Sequence, residues 1–321
     1  MHVMSDVSNA REPAQAARPT VLVVGATGYL GRHIVAALRR AGYPVRALAR
    51  DPQRLGFTPD AGVEVFVGQV TRPETLVGLC DGASIVVSTL GVRSLKRRPT
   101  PWEVDYQGNL NVLRLAEAAG VERFIFAGVL HGEQLRRSIS VVEPRERFID
   151  ALKASGVPWT VLRPTGFFND MEIIFDQARR GRVFQVGDGA ARMNPIHPTD
   201  LAEAVIRCIE DPTTRNTTVE LGGPDVYSYA EIAQMAFRAL GKPPHTLRIA
   251  PGLVDGVSAV TQPFNPTAAG FLRFFRAVMT EDMVAPRTGH IHLADFYAQL
   301  ASGGAAGQEP AALTPAPGSG S

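Results

Sequence analysis

The sequence predicts an α/β fold, a doubly wound parallel sheet with a smaller α/β lobe behind it. Three observations carry that expectation. Short apolar runs alternate with helical patterns from the first quarter of the chain onward, a glycine-rich turn joins the first run to the first helix, and the alternation loosens after "LRPTGFF" (162–168). With 321 residues, 45% of them hydrophobic, the chain can bury a sizeable core.

The predicted strands are "VLVV" (21–24), "VRALA" (45–49), "VEVFV" (63–67), "SIVVS" (84–88), "RFIFA" (123–127) and "PWTVL" (158–162). They are apolar at successive positions, so most should be covered on both faces, as in a parallel sheet. Between the first two strands Leu30, Ile34, Leu38 and Ala41 recur at helical spacing, with Gly42 placed to cap the helix. Residues 103–119 and 142–155 read the same way, each followed by a glycine. Beyond residue 168 the spacing predicts a helix over 169–180, a strand at "RVFQVG", a helix from Pro198, a strand over 217–221 and a helix at "YAEIAQMAFRALG". This part is expected to lie across the C-terminal edges of the sheet, where a ligand is enclosed. The domain plan is a tail (1–18), a dinucleotide-binding core (19–165), a smaller substrate lobe packed on it (166–302) and a second tail (303–321). Both tails are rich in Ala, Pro, Gly and Ser and are expected to be disordered.

Gly25, Gly28 and Gly31 form G-x-x-G-x-x-G between a buried strand and an amphipathic helix. The spacing assigns them the tight turn, the close approach of backbone to pyrophosphate, and the packing of helix on strand. Amides at the helix start, around Thr27, Gly28, Tyr29, Leu30 and Gly31, then face the phosphates. An acidic residue after the second strand would bind a ribose hydroxyl, whereas an arginine accepts the 2′-phosphate. This strand ends in Arg50, and Arg32 adds a second cation, so the cofactor is predicted to be NADP(H). Asp51 opens "RDP" and should already be turning away.

Other chemistries find little support. A formal charge of +2 gives no reason to expect nucleic acid or a membrane as partner, and the basic runs "RSLKRR" (93–98) and "RRGR" (179–182) read as solvated surface. Cys80 and Cys208 stand far apart without CxxC spacing, and no run has metal-ligand spacing, so neither a disulfide nor a metal is expected. No signal-like or membrane-spanning run is visible, and the expected compartment is the cytoplasm.

"VLVVGATGYLGRHIV", "VRALARDP", "VDYQGNLNVLRLAEAAGVERFIFAGVL", "ASGVPWTVLRPTGFF" and "MNPIHPTDLAEAV" resemble the atypical short-chain dehydrogenase/reductases, in particular the NmrA-like and isoflavone-reductase-like branch. The resemblance implies a Rossmann fold, a nicotinamide cofactor and hydride transfer. It places the cofactor against Thr89, Leu90 and Gly91 after the fourth strand and against Pro164, Thr165, Gly166 and Phe167 near the nicotinamide. Two departures stand out. Gln69 occupies the place where the family usually has an Asp beside the adenine. The superfamily's catalytic Asn, Ser, Tyr and Lys fall on Asp105, Gly128, Val141 and Arg145, so none of the four is retained.

Ketone reduction needs a proton donor, usually a Tyr tuned by a Lys, and Val141 has no proton to give. Arg145 can hold the ribose or a developing oxyanion but cannot act as an acid. His131, on the loop after the fifth strand, is the candidate substitute acid; Asp105 is a weaker one, expected near a helix start as a cap. The reading is an NADP(H)-dependent reductase of a small apolar substrate with a conjugated, quinoid or imine-like acceptor, whose product solvent can protonate. The alternatives are a non-catalytic NADP(H) sensor and, more weakly, an epimerase or dehydratase, which the missing Tyr disfavours. Phe167, Phe168, Phe184, Trp159 and "FLRFF" (271–275) are the aromatics placed near a flat substrate or in the core. His197, before Pro198, reads as a structural staple.

Overall fold

The computed structural model describes residues 18–55, 62–92 and 95–303. Apart from Arg18 and Gly303, the two expected tails lie outside these, as do residues 93–94 of the basic run. The chain runs β1 (Val21–Val24), α1 (Tyr29–Arg40), β2 (Val45–Ala49), β3 (Val63–Val67), β4 (Ile85–Ser88), α2 (Asn109–Ala118), β5 (Arg123–Ala127), α3 (Gly132–Leu135), α4 (Glu143–Ala154) and β6 (Trp159–Pro164). It continues through α5 (Phe168–Arg179), β7 (Val183–Val186), β8 (Arg192–Met193), α6 (Pro198–Glu210), β9 (Thr217–Leu221), β10 (Tyr227–Ser228) and α7 (Tyr229–Ala239). It ends with β11 (Thr246–Ile249), α8 (Pro251–Thr261), α9 (Pro266–Thr280) and α10 (Leu293–Ala301).

Seven strands form one sheet in the order β3-β2-β1-β4-β5-β6-β9, all parallel. The order reverses between β1 and β4, which opens a crevice at the C-terminal ends of those strands. Alternate residues of a strand feed opposite cores. Val21 and Val23 pack with Ile34, Leu38 and Leu201 on one face, while Leu22 and Val24 pack with Val112, Phe124 and Phe148 on the other. That is why β1, β4 and β5 are buried at every position. The edge strands differ: Val67 on β3 is 58% exposed, and β9 alternates exposed with partly buried residues.

A third cluster joins α5, α7 and α10 through Phe175, Phe237 and Tyr297, with the two-stranded sheets β7–β11 and β8–β10 beside it. Cys80 and Cys208 are free and buried. The helix expected over 103–119 is in fact a π-helical stretch, Trp102–Gly108, running into α2. Its wider turns let Asn109 Nδ2 donate to the Asp105 carbonyl at 2.9 Å, and such turns recur at functional sites. Helices α8, α9 and α10 lie beyond the elements expected from the sequence, and "FLRFF" belongs to α9. No described helix is long and apolar enough to cross a membrane.

Candidate active site

The crevice is built on the glycine turn. Gly25 has φ +88°, a conformation an L side chain rarely takes, and its carbonyl accepts from the Gly28 amide at 2.9 Å. At Gly31 a β-carbon would stand 2.1 Å from the Gly25 carbonyl, so any side chain would push α1 off β1. Gly28 starts α1 without a side-chain cap, and no acid sits in the first turn. The helix N-terminus therefore keeps its unpaired amides and positive dipole end toward the crevice, and this cradle fits a pyrophosphate. Thr89 lies over it, its amide bonded to the Val24 carbonyl at 2.9 Å.

The structure brings the other expected cofactor segments to the same edge. Tyr29 meets Phe167 with ring centroids 6.5 Å apart, joining the glycine turn to the loop after β6. Pro164 and Thr165 are buried, and the Thr165 hydroxyl donates to the Asn194 carbonyl at 2.6 Å. Gly166 accepts from the Ile196 amide at 2.9 Å. Arg50, just beyond β2, and Arg32 are both exposed and make no ion pair with described residues. Gln69 is half-buried, with its side-chain amide donating to the Thr71 hydroxyl at 2.7 Å.

At the other end of the crevice stands Arg145. Its Nη2 lies 2.8 Å and its Nε 3.1 Å from Asp105 Oδ1, while Nη2 and Nη1 donate to the carbonyls of Leu90 and Ala127 at 3.3 Å each. One guanidinium thus ties the ends of β4 and β5 to the π-helical turn, and it lies against Gly91. Asp105 does not cap a helix, as its position had suggested. It is almost wholly buried inside the π-helical stretch and also accepts the Val92 amide at 2.8 Å. Burial pushes its carboxyl up, and Arg145 and the Val92 amide pull it back part of the way. Val141, at the family's Tyr position, is half-buried and lines a cavity of about 580 Å³ with Arg97, Thr100, Trp102, Asn265 and Thr267.

His131 is a half-buried left-handed residue (φ +56°) at the start of α3, and its ring makes no hydrogen bond with described residues. The loop that carries it is clamped from below. Arg163 Nη1 donates to the Val129 carbonyl at 2.8 Å, and the same guanidinium grips Glu146 through two bonds of 2.9 and 2.7 Å. His197 caps α6 through Nδ1, which accepts the Thr199 amide at 3.2 Å. Burial, aided by His33 and His290, lowers its pKa to about 4, so the ring is neutral.

Several features escaped sequence reasoning. The Ser88 hydroxyl donates to Asn109 Oδ1 at 2.6 Å beneath the crevice; Asp105 and Asn109, four apart, were the available sign of an inward polar face. Trp102 lines the cavity, whereas Phe168 is core, Phe184 is 45% exposed and Trp159 packs under the Lys153 ammonium. Among the described residues, Asp200, Glu203 and His290 bring one potential ligand atom each within 4.8 Å of one another. The buried Asp200 is committed to the backbone instead: its Oδ2 accepts the amides of His290 and Ile291 at 3.1 Å each, and Oδ1 faces His290 Nδ1 at 2.9 Å.

A parallel sheet with a phosphate cradle at its switch point defines a dinucleotide-binding protein of the Rossmann class. The chain matches the NAD(P)H-binding family over residues 25–212 and belongs to that family, in agreement with the atypical short-chain motifs. Over 92% of its length it is 30% identical to divinyl chlorophyllide a 8-vinyl-reductase, chloroplastic, of Zea mays, 85% of which is covered. It is 28% identical to the photosystem II assembly factor Ycf39 of Trieres chinensis over 70% of each chain. Its fold matches the crystal structure of Citrobacter sp. triphenylmethane reductase complexed with NADP(H), with a TM-score of 0.70 and 20% identity over 88% of this chain and 99% of that one.

Proposed function

We propose that this protein is an NADPH-dependent reductase that adds hydride to a conjugated apolar acceptor and leaves protonation of the product to solvent. One observation carries the proposal. Arg145 stands at the crevice where charge would develop, and Val141, four residues before it at the position where the wider family keeps its acid, lines the 580 Å³ cavity and has no proton to give. When bound, NADPH supplies the hydride. A vinyl, quinoid or imine-like acceptor spreads the incoming electron pair over its π system, and water then delivers the proton. Arg145 stabilises that charge, and its bonds to Leu90 and Ala127 hold it in register with the ends of β4 and β5. The similarity to a vinyl reductase and the shared fold of a dye reductase both support an acceptor of this kind. Arg50 and Arg32 take the 2′-phosphate, which selects NADPH over NADH.

The test is NADPH consumption against a panel of vinyl-conjugated, quinone and imine acceptors, with isolated ketones as controls. Turnover is expected with conjugated acceptors only, and kcat should stay flat from about pH 6 to 9 because no protein acid titrates. A pH limb that disappears in His131→Asn would restore that histidine as the acid. Tight NADPH binding with no consumption anywhere on the panel would overturn the reductase. It would favour a binding module, the reading to which the similarity with an assembly factor points.

A further inference from the structure

Helix α8 is built unlike the other described α-helices. Of its residues only Ser258 is buried, its hydroxyl donating to the Ala269 carbonyl of α9 at 2.9 Å. Leu253, Val257 and Val260 recur at four- and three-residue spacing on one face, 62%, 48% and 72% exposed, and Phe264 in the following turn extends the stripe at 72%. Asp255 is the only charge on the helix, and Arg276 of α9 pairs with it at 3.1 Å. An uncovered apolar stripe of this density marks an interaction surface.

The stripe is joined to a cationic segment. Asn265, in the α8–α9 turn, donates its side-chain amide to the Leu95 carbonyl at 2.8 Å, which fixes residues 95–98 beside Phe264. Leu95 is itself 57% exposed, and Lys96, Arg97 and Arg98 follow it. Arg98 shares its charge with Glu103 at 2.7 Å. Arg97, Arg98 and Asn265 also line the 580 Å³ cavity that reaches Val141. Apolar residues, cations and the cavity thus share one surface.

We propose that this surface seats the protein on an anionic lipid bilayer, the α8 stripe dipping into the headgroup boundary and Arg97 and Arg98 meeting lipid phosphates. The combination of an apolar face with flanking cations is that of an interfacial, non-spanning element. A second copy is the poorer occupant, because the stripe it would offer carries no acidic residue to meet the cationic segment. The consequence is that the cavity opens beside the membrane, so an apolar ligand passes from lipid to protein without crossing water. The proposal does not depend on which acceptor is reduced.

Vesicle sedimentation of the full chain tests it, using phosphatidylcholine vesicles with and without roughly a third phosphatidylglycerol. Binding is expected to the anionic vesicles only and to weaken in high salt. Val260→Asp with Phe264→Asp should reduce partitioning at least tenfold, while Ile173→Asp, at an exposed apolar position of α5 away from the stripe, should not alter it. Arg97→Glu should weaken binding severalfold without affecting the fold. Absence of vesicle binding, or binding indifferent to the α8 changes, overturns the proposal. So does a concentration-dependent dimer that the same changes dissolve, since the stripe would then be covered by a second copy.

Discussion

Two arginine–carboxylate pairs lie under the same crevice and serve opposite ends. Arg163–Glu146 is closed: the side chains are 5% and 1% exposed, and each oxygen of Glu146 receives a guanidinium hydrogen. Arg145–Asp105 is open: Arg145 is 21% exposed, both of its bonds to Asp105 fall on one oxygen, and its remaining contacts are carbonyls bonded at 3.3 Å. The first arrangement leaves nothing for a ligand and holds the β5–α3 loop in shape. The second keeps a charged group at the crevice edge with hydrogen-bonding capacity to spare. Access, not chemistry, separates the structural pair from the candidate catalytic one.

That contrast can be broken experimentally. The largest effect is expected from Glu146→Gln or Arg163→Met, each of which leaves a buried charge without its partner. A loss of about 3–5 kcal/mol in urea unfolding is expected, with NADPH binding intact at temperatures where the protein remains folded. Arg145→Met should instead lower kcat on a conjugated acceptor by about a hundredfold while changing stability less. Its stability should also shift with pH in a defined sense. The Asp105 carboxyl is raised in the folded protein, so its ionisation works against folding as pH rises. Without Arg145 that cost grows, and the variant should recover stability relative to the parent as pH falls.

A smaller pH effect belongs to His197. Its folded pKa of about 4 lies below the ordinary value, so the unfolded chain takes up the proton first as pH falls. Stability is complete above about pH 6.5 and declines between there and about pH 4, by about 2 kcal/mol once partial exposure is allowed for. His197→Asn, which keeps an acceptor for the Thr199 amide, should flatten that decline in thermal melts. The smallest change is expected from Arg50→Ala. A calorimetric titration should show NADPH affinity falling about tenfold with NADH affinity unchanged, and equal losses for both would reject the 2′-phosphate assignment.

The parallel sheet was legible because buried strands leave an unbroken apolar record, and the glycine turn because close backbone contact admits no substitute. The site was legible by position only. Asp105 and Arg145 were both singled out, but their pairing joins residues 40 apart and no local pattern encodes it. The clamp of Arg163 on Glu146 was missed for the same reason. Helix α8 was illegible on different grounds: Gly252, Gly256 and three valines make it a poor helix former, and its packing on α9 holds it instead.

The last strand of the sheet has a bearing on how the chain matures. β9 supplies the outer neighbour of β6, the Leu221 carbonyl receives the Thr165 amide, and Asn194 Nδ2 bonds the carbonyls of Gly223 and Ala285. A ribosome that has released only the nucleotide half therefore exposes β6 as a bare, apolar edge. The nascent chain has to wait for more than fifty further residues before that edge is sealed, so truncation after residue 165 should yield aggregates rather than a free-standing cofactor module.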